Sequence, residues 1–169
     1  HDDPRLDVRI AIDGLAAPER QPLRVVLDSQ LRTPPSARVI GEAGDTLVVT
    51  AARDAAREQA LREAGVTVLH LPDRDGRVDL RALLAHLAVA QCNEVLIEAG
   101  ATLAGAALRA GLVDELVIYM APTLMGSAAR PLLDLPLASM DEKLALQITD
   151  LTAVGRDWRI TAIVAQAPV

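Results

Sequence analysis

The sequence predicts an α/β fold with a twisted, mostly parallel mixed sheet flanked by helices and an antiparallel pair of strands at its C-terminal end. Three observations carry this. Short β-branched runs alternate with helix-period segments from about residue 24 to 122, a pattern of parallel βαβ units. The helical segments carry their own start and stop residues. The last two apolar runs are separated only by Gly155-Arg156-Asp157, which makes them antiparallel neighbours.

Residues 1–22 are polar and irregular, broken by Gly14, Pro18 and Pro22. Arg24-Val25-Val26-Leu27-Asp28 reads as a buried strand ending in an acid. Loops marked by Pro34-Pro35 and Gly41/Gly44 surround Arg38-Val39-Ile40, and Thr46–Thr50 is the next strand. Ala56, Ala60 and Ala64 form a thin apolar stripe between Arg53 and Gly65, with Glu58 and Arg62 in a favourable i,i+4 pair and Gly65 as the stop. Val66–Leu71 is a strand and Pro72–Gly76 a turn. Asp79 is placed to cap a helix whose Leu80, Leu83, Leu84, Leu87 and Ala88 share one face. Glu94–Ala99 reads as a strand and Gly100–Ala110 as an apolar helix closed by Gly111. Asp114–Pro122, Leu144–Val154 and Trp158–Ala165 read as strands, with an irregular stretch at 131–140.

Composition narrows the function. The 169 residues are 51% hydrophobic and 24% charged, so one globular domain with a sizeable core is expected. Phe is absent, and one Trp and one Tyr are the only aromatic residues, so base-stacking platforms are not expected. The formal net charge of -6 disfavours a nucleic-acid surface. No apolar run is long enough to span a membrane. Cys92 is the only cysteine, which excludes an intrachain disulfide and a multi-cysteine zinc site and fits a reducing, cytoplasmic setting. No His/Asp/Glu cluster has ligand spacing, so no protein-bound metal is expected.

The richest segment is Glu98-Ala99-Gly100-Ala101-Thr102-Leu103-Ala104-Gly105. A strand gives way through a glycine-bounded turn to a helix, whose first N–H groups and dipole favour an anion. A short βα connection packed tightly by its glycines is an equal reading of the spacing alone. Gly100 and Gly105 have P-loop spacing, but Ala106-Ala107 stands where Lys-Ser/Thr is required, and no Gly-x-Gly-x-x-Gly occurs. Glu98 closes an apolar strand, where a carboxylate is costly without solvent, a partner or a ligand hydroxyl. Asp28-Ser29 also follows a strand. A turn formed by these two side chains is the commoner reading. Arg32 and Arg53, both after strands, are reachable candidates for a nucleotide 2′-phosphate on general grounds only. Leu124-Met125-Gly126-Ser127 offers a further turn with free N–H groups.

Taken together, Asp2-Asp3-Pro4-x-Leu6-x-Val8-Arg9, Pro22-x-Arg24-Val25-Val26-Leu27-Asp28-Ser29, Glu98–Gly105, Leu112–Leu116 and Ala121-Pro122-x-Leu124-x-Gly126 occur in an order and spacing that resembles the reductase half of the bacterial riboflavin-biosynthesis deaminase/reductase family, over nearly the whole chain. The resemblance implies a dihydrofolate-reductase-like fold. It also implies NADPH-dependent reduction of the ribosyl group of 5-amino-6-(5-phosphoribosylamino)uracil, a phosphorylated pyrimidine. On the family pattern Asp2, Ser29 and Gly100, Ala101, Thr102, Leu103, Ala104, Gly105 and Ala106 contact NADPH. Leu6, Arg9 and Glu98 contact substrate, Arg9 at the 5′-phosphate and Glu98, the catalytic candidate, at the ribose hydroxyls. The family's preceding Lys-x-Ala-x-Ser-x-Asp-Gly segment and its zinc deaminase half have no match here, so residues 1–169 are expected to be a single reductase domain without them. A homodimer through the C-terminal strands is expected, because proteins cover exposed edges. The rival readings are a pterin or pyrimidine reductase of the same fold, and a non-catalytic nucleotide-binding or dimerisation module.

Overall fold

The computed structural model describes residues 3–8 and 21–165. The chain forms two compact units, 1–93 and 94–169.

The first unit is built on three parallel strands, β1 (Arg24–Leu27), β2 (Thr46–Thr50) and β3 (Thr67–His70), in the order β1-β2-β3. All five residues of β2 are buried, as expected where both faces of a parallel sheet are covered. The pleat divides the core into two layers. Leu47 and Val49 point to one face with Val25, Leu27, Leu69 and Leu71, and meet Leu83 and Leu87 of α3 (Leu80–Val89). Val48 points to the other, packed with Leu31, Leu61 of α2 (Ala55–Glu63) and Val66.

The helix signals at Asp79, Glu58–Arg62 and Gly65 operate as read from the sequence, and Asp54 adds a cap that the sequence reading did not name. Asp54 accepts from the Arg57 N–H and Asp79 from the Ala82 N–H, capping α2 and α3. Arg62 pairs with Glu58 at 2.8 Å, and Gly65 follows α2 at φ +83°, the left-handed conformation that glycine adopts without strain. Two expectations change. The alanine stripe is not what anchors α2, since Ala56 and Ala64 are exposed and Leu61 is buried; one leucine removes more apolar area than three alanines on a narrow face. Gly41, expected to mark a loop, instead ends a one-turn helix, α1 (Arg38–Gly41), over the segment that the loops were expected to flank; it is fastened by Val39, whose side chain is buried and whose carbonyl accepts from the Thr46 hydroxyl.

Arg24 opens β1 and is 2% exposed. Its guanidinium donates to the carbonyls of Glu42, Ala43 and Gly44 and to the Thr46 hydroxyl. A buried charge is tolerated only when its donors are satisfied. Here backbone oxygens do so, and the loop into β2 is fixed by the same bonds.

In the second unit α4 (Ala101–Arg109) precedes an antiparallel sheet of β4 (Glu115–Met120), β5 (Leu146–Val154) and β6 (Asp157–Val164), in the order β4-β6-β5. The C-terminal hairpin is present as expected, but β6 is the central strand and β4 pairs with it antiparallel, not with a parallel neighbour. A bulge at Thr149 shifts the β5 register, and the Thr149 hydroxyl donates to the Thr161 carbonyl beside it. On one face the register aligns Leu116, Ala162 and Ile148, then Ile118, Ile160 and Leu151, then Met120, Trp158 and Ala153. On the opposite face Asp150 accepts from Arg159 and the Thr152 hydroxyl. The Thr152 bond first and Arg159 second hold its carboxyl below the ordinary aspartate value.

Glu94–Ala99 does not form the expected strand. Val95, Leu96 and Ile97 are 43%, 77% and 39% exposed. Apolar composition identifies a segment suited to a sheet, but a strand also needs a ladder partner. This segment begins the second unit without one.

Replacing Arg24 with Met keeps the aliphatic stem and strips the donors from three carbonyls. Arg24→Met is expected to lower unfolding free energy by about 3 kcal/mol, the cost of leaving buried acceptors unpaired. Urea denaturation measures it, and an unchanged midpoint refutes the cage as a source of stability.

Candidate functional site

The chemistry-bearing residues of the second unit gather at the start of α4. Gly100 is its N-cap, and no side chain caps the helix. The N–H groups of Ala101, Thr102 and Leu103 precede the first intrahelical bond, Ala104 N–H to Gly100 O, and so have no partner within the helix. They lie at an open cavity of about 980 Å³ lined by Ala99–Leu103 on one side and by Met125, Arg130, Pro131, Leu132 and Asp134 on the other.

Two glycines of α4 serve different ends. A Cβ on Gly105 would collide with the Asp134 carbonyl oxygen and stand 2.8 Å from its carbon. The absence of a side chain there lets the 131–135 segment lie against the helix, where Asp134 N–H donates to the Ala101 carbonyl at 3.0 Å. Gly100 has φ -72°, a conformation open to any residue, and a Cβ there would meet nothing within 4 Å. Neither backbone strain nor packing calls for glycine at that position. The open backbone there is compatible with close approach of an anionic group, because the helix start is positive and Arg130 borders the same cavity.

Among the expected site residues, Gly100, Ala101, Thr102 and Leu103 line this cavity together. Ala104 and Ala106 sit half-buried in the helix body, and Gly105 is buried beneath Asp134. Glu98 is exposed, two residues before the helix start. In the first unit Ser29 is half-buried and its hydroxyl oxygen accepts from the Val78 N–H at 3.2 Å. Leu6 is half-buried with φ +53°. Asp2 and Arg9 lie outside the described residues. Met125, from the turn noted in the sequence, borders the cavity. Arg130 and the 131–134 wall were missed. Arg130-Pro131 in an irregular stretch was the available signal. No group of three or more potential metal ligands occurs among the described residues, and no helix there is long and apolar enough to cross a membrane.

Comparison with known proteins decides the family. The RibD C-terminal domain model matches residues 1–160. The chain belongs to the RibD C-terminal domain family. Over 141 residues it is 41% identical to the riboflavin biosynthesis protein RibD of Escherichia coli K12, covering 82% of this chain and 37% of that protein. It is 30% identical to the 5-amino-6-(5-phosphoribosylamino)uracil reductase of Buchnera aphidicola from Acyrthosiphon pisum, covering 83% of this chain and 67% of that protein. Among solved structures, Acinetobacter baumannii RibD superposes with a TM-score of 0.83 at 34% identity, over 97% of this chain and 44% of that one. The riboflavin biosynthesis reductase Rib7 of Saccharomyces cerevisiae, with a TM-score of 0.68 at 20% identity over 97% of this chain and 69% of that one, shares the fold. The chain therefore has the dihydrofolate-reductase-like fold of the RibD and pyrimidine-reductase structures.

The two glycines should separate in stability. Gly105→Ala is expected to cost about 1–3 kcal/mol, as overpacking against a backbone does. Gly100→Ser should leave stability equal or raise it by about 0.5 kcal/mol, since serine is a good N-cap. Thermal melts of both variants check this, and equal losses contradict the assignment.

Proposed function

We propose that this RibD-family domain reduces the ribosyl group of 5-amino-6-(5-phosphoribosylamino)uracil to a ribityl chain, drawing on NADPH, within riboflavin biosynthesis in the cytoplasm. The observation that carries the reading is the uncapped helix start at Gly100, open to a large cavity, in a chain with this family's sequence. The Buchnera reductase, two thirds of which the chain covers, bears the name of that reaction. The match spans both compact units, which supports residues 1–169 acting as one reductase domain.

The residues present fit a dinucleotide. The free N–H groups of 101–103 suit a pyrophosphate and the missing Cβ of Gly100 admits it. Thr102 adds a hydroxyl, and Ala104, Gly105 and Ala106 continue the family's cofactor segment. When bound, the nicotinamide supplies hydride, and the protein supplies position and orientation. The acceptor is C1′ of the ring-opened ribosylamine. Glu98, exposed and with no protein group bonded to its oxygens among the described residues, accepts from ribose hydroxyls and relays a proton at the opened ring oxygen. Leu6 and Arg9 complete the substrate side, and Asp2 and Ser29 the cofactor side. The hydroxyl of Ser29 keeps its proton free to donate, since the Val78 bond uses only a lone pair.

The sheet of the second unit supports a homodimer. Met120, Ile148, Leu151 and Trp158 share one face and are 41–61% exposed, an apolar surface of the kind that a second copy covers. Light scattering at micromolar concentration should give twice the chain mass, and Ile148→Asp should give the single mass with an unchanged circular dichroism spectrum. A monomeric parent protein refutes the dimer.

The activity test follows NADPH oxidation at 340 nm on adding the phosphoribosylaminouracil. Turnover dependent on that substrate is the expected result, and none at all overturns the reading. Glu98→Gln should lower turnover by about a hundredfold or more, in the range of lost acid–base and orienting groups. Near-normal turnover removes Glu98 from the chemistry.

A further inference from the structure

Two leucines among the described residues have φ in the left-handed region, Leu6 and Leu31. A bulky side chain there is strained and persists only where its surroundings over-determine it. For Leu31, at φ +52°, the surroundings are the core. It is wholly buried against Val48, Leu61 and Val66. Its loop is also bonded on both sides, since the Asp28 carboxylate accepts from the Thr33 N–H at 2.6 Å and Arg57 Nη1 donates to the Leu31 carbonyl at 3.1 Å. Leu6, at φ +53°, is only half-buried and belongs to neither apolar cluster of the first unit. Packing does not account for its conformation.

Its neighbours do. Residues 3–8 have neither helix nor ladder of their own, and three fastenings hold them to the first unit. The Asp3 carboxylate accepts from the N–H of Arg38, which opens α1, at 3.0 Å. Arg5 Nε lies 3.0 Å from a Glu42 carboxylate oxygen. The Gln21 amide closes on the Val8 backbone, its Oε1 accepting from the Val8 N–H at 2.8 Å and its Nε2 donating to the Val8 carbonyl at 3.1 Å. The seat is itself fixed. Arg24, buried at the start of β1, holds the carbonyls of Glu42 and Gly44, and Gln21 lies so close to Gly44 that a Cβ there would stand 2.9 Å from its own. The three fastenings are unequal. An exposed ion pair such as Arg5–Glu42 contributes little, and Asp3 makes one bond to an exposed residue. Gln21 satisfies both polar groups of one residue at once, as a strand neighbour does.

We propose that Gln21 is a positioning residue for the substrate: by closing on the Val8 backbone it holds Leu6, two residues earlier, in the left-handed conformation in which Leu6 meets the phosphoribosylaminouracil. The inference rests on the reading above that puts Leu6 on the substrate side, and it adds the residue that sets its position. Gln21 touches neither substrate nor cofactor in this role. Its effect passes through the backbone of residues 6–8, so its loss weakens substrate binding and leaves the chemistry and the fold as they are.

Steady-state kinetics with the phosphoribosylaminouracil and NADPH test this. Gln21→Ala should raise the KM for the phosphoribosylaminouracil about five- to tenfold, the scale of one or two neutral hydrogen bonds, with kcat, the KM for NADPH and the melting temperature unchanged. Such a split marks lost binding, not lost chemistry. Gln21→Glu still accepts from the Val8 N–H but cannot donate to the carbonyl, and its KM should fall between the two. Glu42→Gln should stay within about twofold of the parent. In a Leu6→Ala background, Gln21→Ala should add less than about twofold, because both changes act at one contact. Effects that multiply overturn the proposal, since Gln21 then acts elsewhere. So does a parental KM in Gln21→Ala. A fall in melting temperature together with weaker binding of both substrate and NADPH makes Gln21 a structural residue and overturns it too. An unchanged KM in Leu6→Ala removes Leu6 from the substrate side, and the inference with it. A parent without substrate-dependent turnover overturns the reductase reading itself and everything that rests on it.

Discussion

Burial of β2 on both faces is the constraint around which the first unit is arranged. A strand with no solvent-facing side must receive apolar cover from two directions, and the alternating residues of β1, β2 and β3 divide that cover between α3 and α2. The two ends of the sheet are then fixed by polar groups. At the amino end Arg24 ties three loop carbonyls to the first strand. At the carboxyl end Asp28 and Arg57 hold the loop that follows it. The hydrophobic layers position the sheet, and the charged residues at its rims decide the shape of the loops.

Much of this was legible in the sequence, and the reasons are local. Asp79 and Gly65 act within one helical turn of their own positions, so their roles follow from neighbours in the chain. The β-branched runs of β1 and β2 likewise announce themselves. Arg24 did not. Its side chain answers to carbonyls 18 to 20 residues away, and nothing in the run Arg24–Leu27 distinguishes a buried arginine from one at a solvated strand start. The left-handed Leu31 is similar, since only the combined pull of Asp28, Arg57 and the core makes that conformation tenable. The segment 94–99 failed in the opposite sense. Its composition is that of a strand, but pairing is a property of two segments.

The site divides along the same line. The helix start at Gly100 was visible because a glycine-bounded turn into a helix is short and sequential. The wall that faces it was not, because Arg130 and Asp134 are brought there by an irregular stretch with no periodicity to read. Family resemblance supplied roles for residues whose position alone would not assign them, Glu98 above all.

The glycines of α4 show why a motif and its mechanism have to be separated. Within the run Gly100–Gly105, the packing of the chain requires one glycine and does not require the other. Gly105 is answered inside the chain, by the Asp134 backbone. Gly100 has the dihedral angles of an ordinary residue and open space where its side chain would stand. Serine there would cap the helix better than glycine does, so the glycine sacrifices a stabilising interaction for an unobstructed backbone. At Leu31 the fold likewise sustains backbone strain at a rim position, held there by Asp28, Arg57 and the core. At Gly100 local stability is given up beside N–H groups of α4 that have no partner within the helix.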